Sequence, residues 1–276
     1  MTRPQTTRAS EQNVQDLTAY MKETEIERFS TNDYRGRPDA SPFLITAGTL
    51  PVLISAPHAV SQLRDDRVKP SDDFTGAMAL AMANLAGCFA IVASRYDACD
   101  PNWDPYERCA YKQALVRTVC ENGIVAVLDI HGVPAASPYA IEIGSADGQT
   151  VRAHPGTDEY ACRLLRERLE THLADQGKTI ALNKRHAARS HDTVTRTVSR
   201  ECGIIALQVE ISTPFRVPCV IHGHTPAGEA IPFSADQIPL ELASRRNPDS
   251  TCVETTVHAL VDLSIALARI AESEGL

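Results

Sequence analysis

The sequence predicts an α/β fold: a single domain whose mostly parallel or mixed central sheet carries helices on both faces. Three observations predict it. Short runs rich in Val, Ile and Leu alternate with longer helical segments, the pattern of strands covered on both sides. Several of those runs stop abruptly in a histidine, an arginine or a carboxylate, as strands do when they open onto a crevice. A length of 276 residues suits one large α/β domain better than two small ones.

Residues 1–40 are polar and read as an N-terminal appendage or lid with a short helix from Glu11 to Phe29; residues 41–276 form the domain. Phe43 to Thr46 and Pro51 to Ser55 read as strands joined through Gly48 in a hairpin-like arrangement. Arg64 to Ser71 is a charged loop. Asp72-Asp73 opens a helix that runs to about Gly87, because carboxylates suit the free N–H groups and dipole of a helix start. Phe89 to Ser94 is a strand ending at Arg95, Asp100 to Pro105 a loop, and Tyr106 to Cys120 a helix. Ile124 to Ile130 is a strand delivering His131, and Ala140 to Ile143 a further one. A helix over Asp158 to Asp175, a strand over Thr179 to Leu182 and a short helix or turn over Asp192 to Cys202 come next. The strand Gly203 to Val209 ends in Glu210, Thr213 to Pro239 is loop-like, and a long helix closes the chain from Asp249 to Ser273.

Composition narrows the function. A hydrophobic fraction of 43% supplies a sizeable core, and a net charge of −8 argues against nucleic acid or an anionic membrane as partner. The eight cysteines are scattered without a Cys-x-x-Cys pair, so neither a zinc ribbon nor a thioredoxin-like motif is expected. No signal core and no run of membrane-span length stands out, and the expectation is a reduced, cytoplasmic protein with a small-molecule partner. Oligomeric state is left open.

His58, just beyond the strand Val52 to Pro57, and His131 are the best nitrogen donors for a metal, with Asp72 or Asp73 as the third ligand. Catalytic zinc takes three protein ligands and keeps a position for water. Asp129 shares a face with His131 and either holds an imidazole or anchors a substrate group. Glu210 follows a strongly apolar strand, where a carboxylate needs a partner, a metal or a proton, and so is a candidate general base. Arg95 and Arg189 sit beside these residues and are candidates to stabilise an oxyanion and to clamp a substrate carboxylate. His222 and His224 rank second as ligands because their loop is proline-rich.

Four pieces together resemble the N-formylglutamate amidohydrolase family, related in fold to the zinc carboxypeptidases. They are Ala56-Pro57-His58-Ala59, Asp72-Asp73-Phe74-Thr75-Gly76, Leu128-Asp129-Ile130-His131-Gly132 and Ala206-Leu207-Gln208-Val209-Glu210-Ile211. The loop Asp100-Pro101-Asn102 is also similar to one seen in such relatives, which brings Asn102 forward as a substrate-binding residue. The resemblance implies Zn²⁺ held by His58, Asp72 and His131, with Glu210 as the catalytic carboxylate. It implies hydrolysis of an amide in a small N-acyl amino acid or peptide-like substrate; Ala59-Val60 in place of the family's Ser-Gly leaves the acyl group open.

Two other classes compete. A serine or cysteine hydrolase lacks its Gly-x-Ser-x-Gly elbow here, since Gly144-Ser145-Ala146-Asp147-Gly148 misplaces the serine. A non-catalytic protein binding a small anion in the same crevice would show affinity without turnover. Neither a dinucleotide fingerprint nor a phosphate-loop lysine motif is present.

Overall fold

The computed structural model describes residues 17–218 and 250–273. A seven-stranded mixed sheet is built from β1 (Phe43–Thr46), β2 (Leu50–Ala56), β5 (Cys88–Ala93), β6 (Ala126–Val133), β7 (Tyr139–Gly144), β8 (Thr179–Leu182) and β9 (Ile205–Ser212). A separate hairpin is formed by β3 (Gln62–Arg64) and β4 (Arg67–Lys69). The order is β1-β5-β2-β6-β9-β7-β8, with β2, β5, β6 and β9 parallel and the other three running against them. The main helices are α1 (Leu17–Thr24), α2 (Thr75–Ala86), α3 (Ala110–Glu121), α4 (Thr157–Arg168), α5 (Glu170–Gln176), α6 (Val194–Cys202) and α7 (Ser250–Ser273). The predicted class, a single α/β domain with helices flanking the sheet, is what the chain adopts.

Strands β5 and β9 are buried along their whole length, and β2 and β6 nearly so, which is why they read as unbroken apolar runs. From β2 the chain steps outward to β5, then crosses back over to β6. The order therefore reverses between β2 and β6, and the crevice outside their carboxyl ends is a topological switch point.

Several local expectations change. β1 and β2 form no hairpin: β5 lies between them, and the turn after β1 instead docks on the α2–β5 junction, where Thr49 and Leu50 N–H groups donate to the Gly87 carbonyl at 2.7 and 2.9 Å. The charged loop expected at 64–71 is largely taken up by the β3–β4 hairpin, which begins at Gln62. The helix after Asp72 starts at Thr75. His131 lies within β6 rather than beyond its end.

The polar N-terminal stretch is no appendage over 17–34. Met21 and Phe29 are fully buried in the main core, and Glu25 is buried with Oε1 accepting the Phe74 N–H at 2.7 Å. Polar composition concealed a segment with only a few, deeply placed apolar side chains. Burial pushes the Glu25 carboxyl up to about 8. A carboxyl whose pKa is higher folded than unfolded stabilises the native state at low pH, and that contribution is lost as pH rises toward the folded value. Between about pH 5 and 8 the slope is about 1.4 kcal/mol per unit. Glu25→Gln is therefore expected to raise the melting temperature at pH 8 much more than at pH 5, checked by thermal melts of both proteins. Equal shifts at the two pH values would refute a buried, protonated Glu25.

Helix α7 forms where the closing helix is expected, but the expectation of no run of membrane-span length fails by composition. Its stretch Thr251–Ser273 is long and apolar enough by composition to cross a membrane, yet 61% of its apolar window is buried within the fold. It packs on α2, α4 and β2, so its apolarity serves the core.

Candidate metal centre

The central strands carry polar side chains where neighbours are apolar. Ser55, Asp129 and Gln208 lie in register across β2, β6 and β9, and His131, Glu210 and Glu142 form a second row across β6, β9 and β7. All six are buried. Buried polar groups at this density require partners, and the crevice supplies them.

His58 follows β2 and meets His131 with ring centroids 4.9 Å apart. Asp72 reaches in from the segment before α2, where its N–H donates to the His58 carbonyl at 2.8 Å. Its Oδ2 lies 3.3 Å from Nδ1 of His58 and 3.3 Å from Nδ1 of His131. Donors bound to a tetrahedral zinc at about 2.0–2.1 Å stand about 3.3 Å apart. One donor atom from each of the three residues can be chosen so that all lie within 4.8 Å of one another, a cluster compatible with a metal ion.

The far nitrogen of each ring is anchored. His58 Nε2 is 2.9 Å from Asp100 Oδ1, and His131 Nε2 is 2.9 Å from Asp129 Oδ2. A carboxylate only accepts, so it draws the N–H to that side and leaves the Nδ1 lone pair toward Asp72, the orientation seen around metal-ligating imidazoles. His58 Nδ1 is buried with no hydrogen-bond partner among the described residues, an orphan that a cation would satisfy. The Asn102 amide nitrogen also stands 2.7 Å from His131 Nε2, which fits the opposite tautomer; a cation at Nδ1 would select the first.

The electrostatics point the same way. Burial disfavours charge on His131, but Asp129, Asp72 and Glu210 outweigh it and hold the imidazole pKa well above its usual value. Burial likewise opposes ionisation of Asp72, yet Lys69 and the two histidines keep its carboxyl well below the ordinary range. Lys69 Nζ lies 2.6 Å from Asp72 Oδ1, which leaves Oδ2 for the imidazole side. Lys69→Met is expected to weaken metal affinity about tenfold by freeing the carboxylate, checked by chelator competition; unchanged affinity would show that Asp72 is held by other means.

Glu210 is 7% exposed, and burial raises its pKa above the ordinary carboxyl value. Gln208 Nε2 donates to its Oε1 at 2.9 Å. Beside it, Glu142 Oε1 accepts three consecutive N–H groups, from Lys184, Arg185 and His186, at 2.7, 2.6 and 2.9 Å. This fixes the 184–190 segment along the cleft. Gly144 permits the approach, since a Cβ there would lie 2.4 Å from the His186 carbonyl oxygen.

The two histidines, Asp72 and Glu210 line a cleft of about 570 Å³ with Asn102, Trp103, Arg185 and Arg189. A larger cavity of about 730 Å³ lies near Thr46 and Gly87, and none of these groups faces it.

Other expected site residues are placed differently. Arg95 does not border the cleft: its Nη1 donates to the Pro38 carbonyl at 3.2 Å and its backbone bridges Gly36. It follows β5, on the far side of β2 from His131. Asp129 is fully buried with Oδ1 on Ser55 at 2.7 Å and Oδ2 on His131, so it anchors a ring and cannot meet a substrate. Asn102 borders the cleft, with its Oδ1 accepting the Val194 N–H at 2.7 Å. Arg189 borders it too, but its fork is occupied by Asp147 at 2.7 and 2.9 Å. Asp73 is exposed and accepts from Ser71, so Asp72 is the one brought to the histidines. His222 and His224 lie outside the described residues.

Arg64, Lys69 and Glu142 were not singled out from the sequence, and Asp100 entered only as part of the loop Asp100-Pro101-Asn102, with no role of its own. One signal was available: Asp100 and Asp104 flank the chain's single tryptophan in a polar loop. Asp100 accepts from His58, from the Asn102 N–H at 2.9 Å and from Arg64 Nε at 2.7 Å.

Fold and site together define an α/β protein with a carboxylate-anchored histidine cluster at a sheet switch point. Among solved structures it is similar to an N-formylglutamate amidohydrolase from Ralstonia eutropha JMP134, at 17% identity and a TM-score of 0.52, over 85% of this chain and 100% of that one. A bacteriophage poly-gamma-glutamate hydrolase matches at 10% identity and 0.44, over 82% and 90% of the two chains. A metallo-carboxypeptidase from Burkholderia cenocepacia matches at 14% and 0.42, over 84% and 64%. At these identities the likeness is one of fold. No protein-family model and no curated protein matches the chain.

Proposed function

We propose that the protein is a zinc-dependent amidohydrolase acting on a small N-acyl amino acid or a peptide-like amide. The observation that carries this is the pair of imidazole Nδ1 atoms, each 3.3 Å from one oxygen of Asp72, opening beside the buried Glu210. Zinc on His58, Asp72 and His131 would polarise the scissile carbonyl, lower the pKa of a bound water and offset the oxyanion's charge. Glu210 takes the water proton and passes it to the leaving nitrogen, and its raised pKa suits both halves of that transfer. Gln208 holds Glu210 in place. Asp100 and Asp129 orient the two imidazoles.

With Arg95 outside the cleft and Arg189 committed to Asp147, Arg185 is the better guanidinium for a substrate carboxylate. Its side chain is exposed on the cleft wall, and no described residue pairs with it. Resemblance to the amidohydrolase fold supports amide chemistry in general.

The test is metal analysis of purified protein joined to a screen of N-acyl amino acids. Stoichiometric zinc, hydrolysis abolished by a chelator and restored by zinc would establish the reading. Zinc-loaded protein that binds such compounds without cleaving them would replace it with the anion-binding alternative.

A further inference from the structure

Trp103 is 47% exposed on the wall of the cleft that holds the two histidines. A single exposed aromatic ring is ordinary; this one is fixed. Its indole N–H donates to Asp65 Oδ1 at 3.0 Å, and the Arg64 guanidinium lies 5.3 Å from the ring centroid. Its backbone N–H donates to the Asp100 carbonyl at 2.9 Å. Asp65 itself is held in the two-residue turn of the β3–β4 hairpin, where it and Asp66 both have positive φ, the geometry of a type I′ turn. Arg64 ties the assembly to Asp100 and through it to His58.

A ring so restrained loses little freedom when a ligand packs on it, which is what makes aromatic side chains effective contact surfaces. Val133 and Pro134, just beyond His131, give the same cleft further apolar lining. Its volume of about 570 Å³ suits a small ligand. Charged groups at the cleft answer the ends of an acyl amino acid; the indole answers its side chain.

We infer that Trp103 forms a stacking wall for an aromatic side chain, so that the site selects N-acyl aromatic amino acids over those with small side chains. This rests on reading the cleft as an amide-hydrolysing site, but selectivity in binding is measurable without turnover.

The experiment titrates full-length zinc-treated protein, carrying Glu210→Gln to arrest hydrolysis, with N-acetyl-L-phenylalanine and N-acetyl-L-alanine. Calorimetry gives affinity, and emission of the single tryptophan reports contact. The phenylalanine compound is expected to bind about tenfold more tightly and to perturb the emission. Trp103→Ala should erase the difference while leaving the alanine compound within about twofold, and Trp103→Phe should keep most of it. Equal affinities, a preference that survives Trp103→Ala, or binding of neither compound overturns the inference. Two outcomes separate it from the parent reading. Wild-type hydrolysis of both compounds at equal kcat/KM leaves the hydrolase standing and removes the stacking wall; aromatic preference in a protein that takes up no zinc does the reverse.

Discussion

Glu210→Gln is expected to keep its zinc and lower turnover about a thousandfold, within the range set by loss of a positioned acid–base group. The substitution preserves volume in a strand position only 7% exposed, and it keeps an oxygen to accept from Gln208 Nε2. What it removes is the capacity to take and return a proton. Glu210 is not among the residues grouped around Asp72 Oδ2, so metal content should match wild type. Turnover and zinc content, measured on the same preparation, check both halves. A variant that hydrolyses at near wild-type rates while retaining zinc would take the general base away from Glu210. One that loses zinc would mean that this carboxylate helps hold the ion.

Asp72→Asn should produce the complementary result: a folded protein with little zinc and therefore little turnover. Among the described residues, Asp72 is the only anion that both Nδ1 atoms face at 3.3 Å. Its neutral replacement leaves Lys69 Nζ, now 2.6 Å from Oδ1, as uncompensated positive charge beside the site. The affinity loss should exceed the 10–100-fold typical of removing a supporting partner, hence more than about a hundredfold. A second readout is thermal. An ion that binds only the native state stabilises it by about 2.7 kcal/mol at a hundredfold excess over its Kd, so zinc should raise the wild-type melting temperature and leave the variant's almost unmoved. Stoichiometric zinc in Asp72→Asn would show that the ion sits elsewhere.

The strand-borne part of the site was legible because buried parallel strands are apolar on both faces. In such runs Asp129, His131 and Glu210 are conspicuous, and strand alternation already placed the first two on one side. The loop-borne part was not. Lys69, Arg64 and Asp100 arrive on segments with no periodicity, and their meeting depends on where the β3–β4 hairpin folds back. Arg95 misled for a related reason: standing at a strand end does not say which way a guanidinium turns, and this one turns toward Pro38 at the β1 edge. For residues 17–34 the average polarity hid Met21 and Phe29, since two well-placed side chains can anchor a segment whose composition looks solvated.

Because β2 and β6 are neighbours only through a chain crossing, their two histidines become partners only after both strands have paired. An extended or half-collapsed chain presents the donors singly, each with negligible hold on an ion. On the proposed reading zinc would be a latecomer in the life of the molecule: it should not hasten refolding, but once captured it should slow the escape back to disorder, since leaving then requires giving up the cation as well.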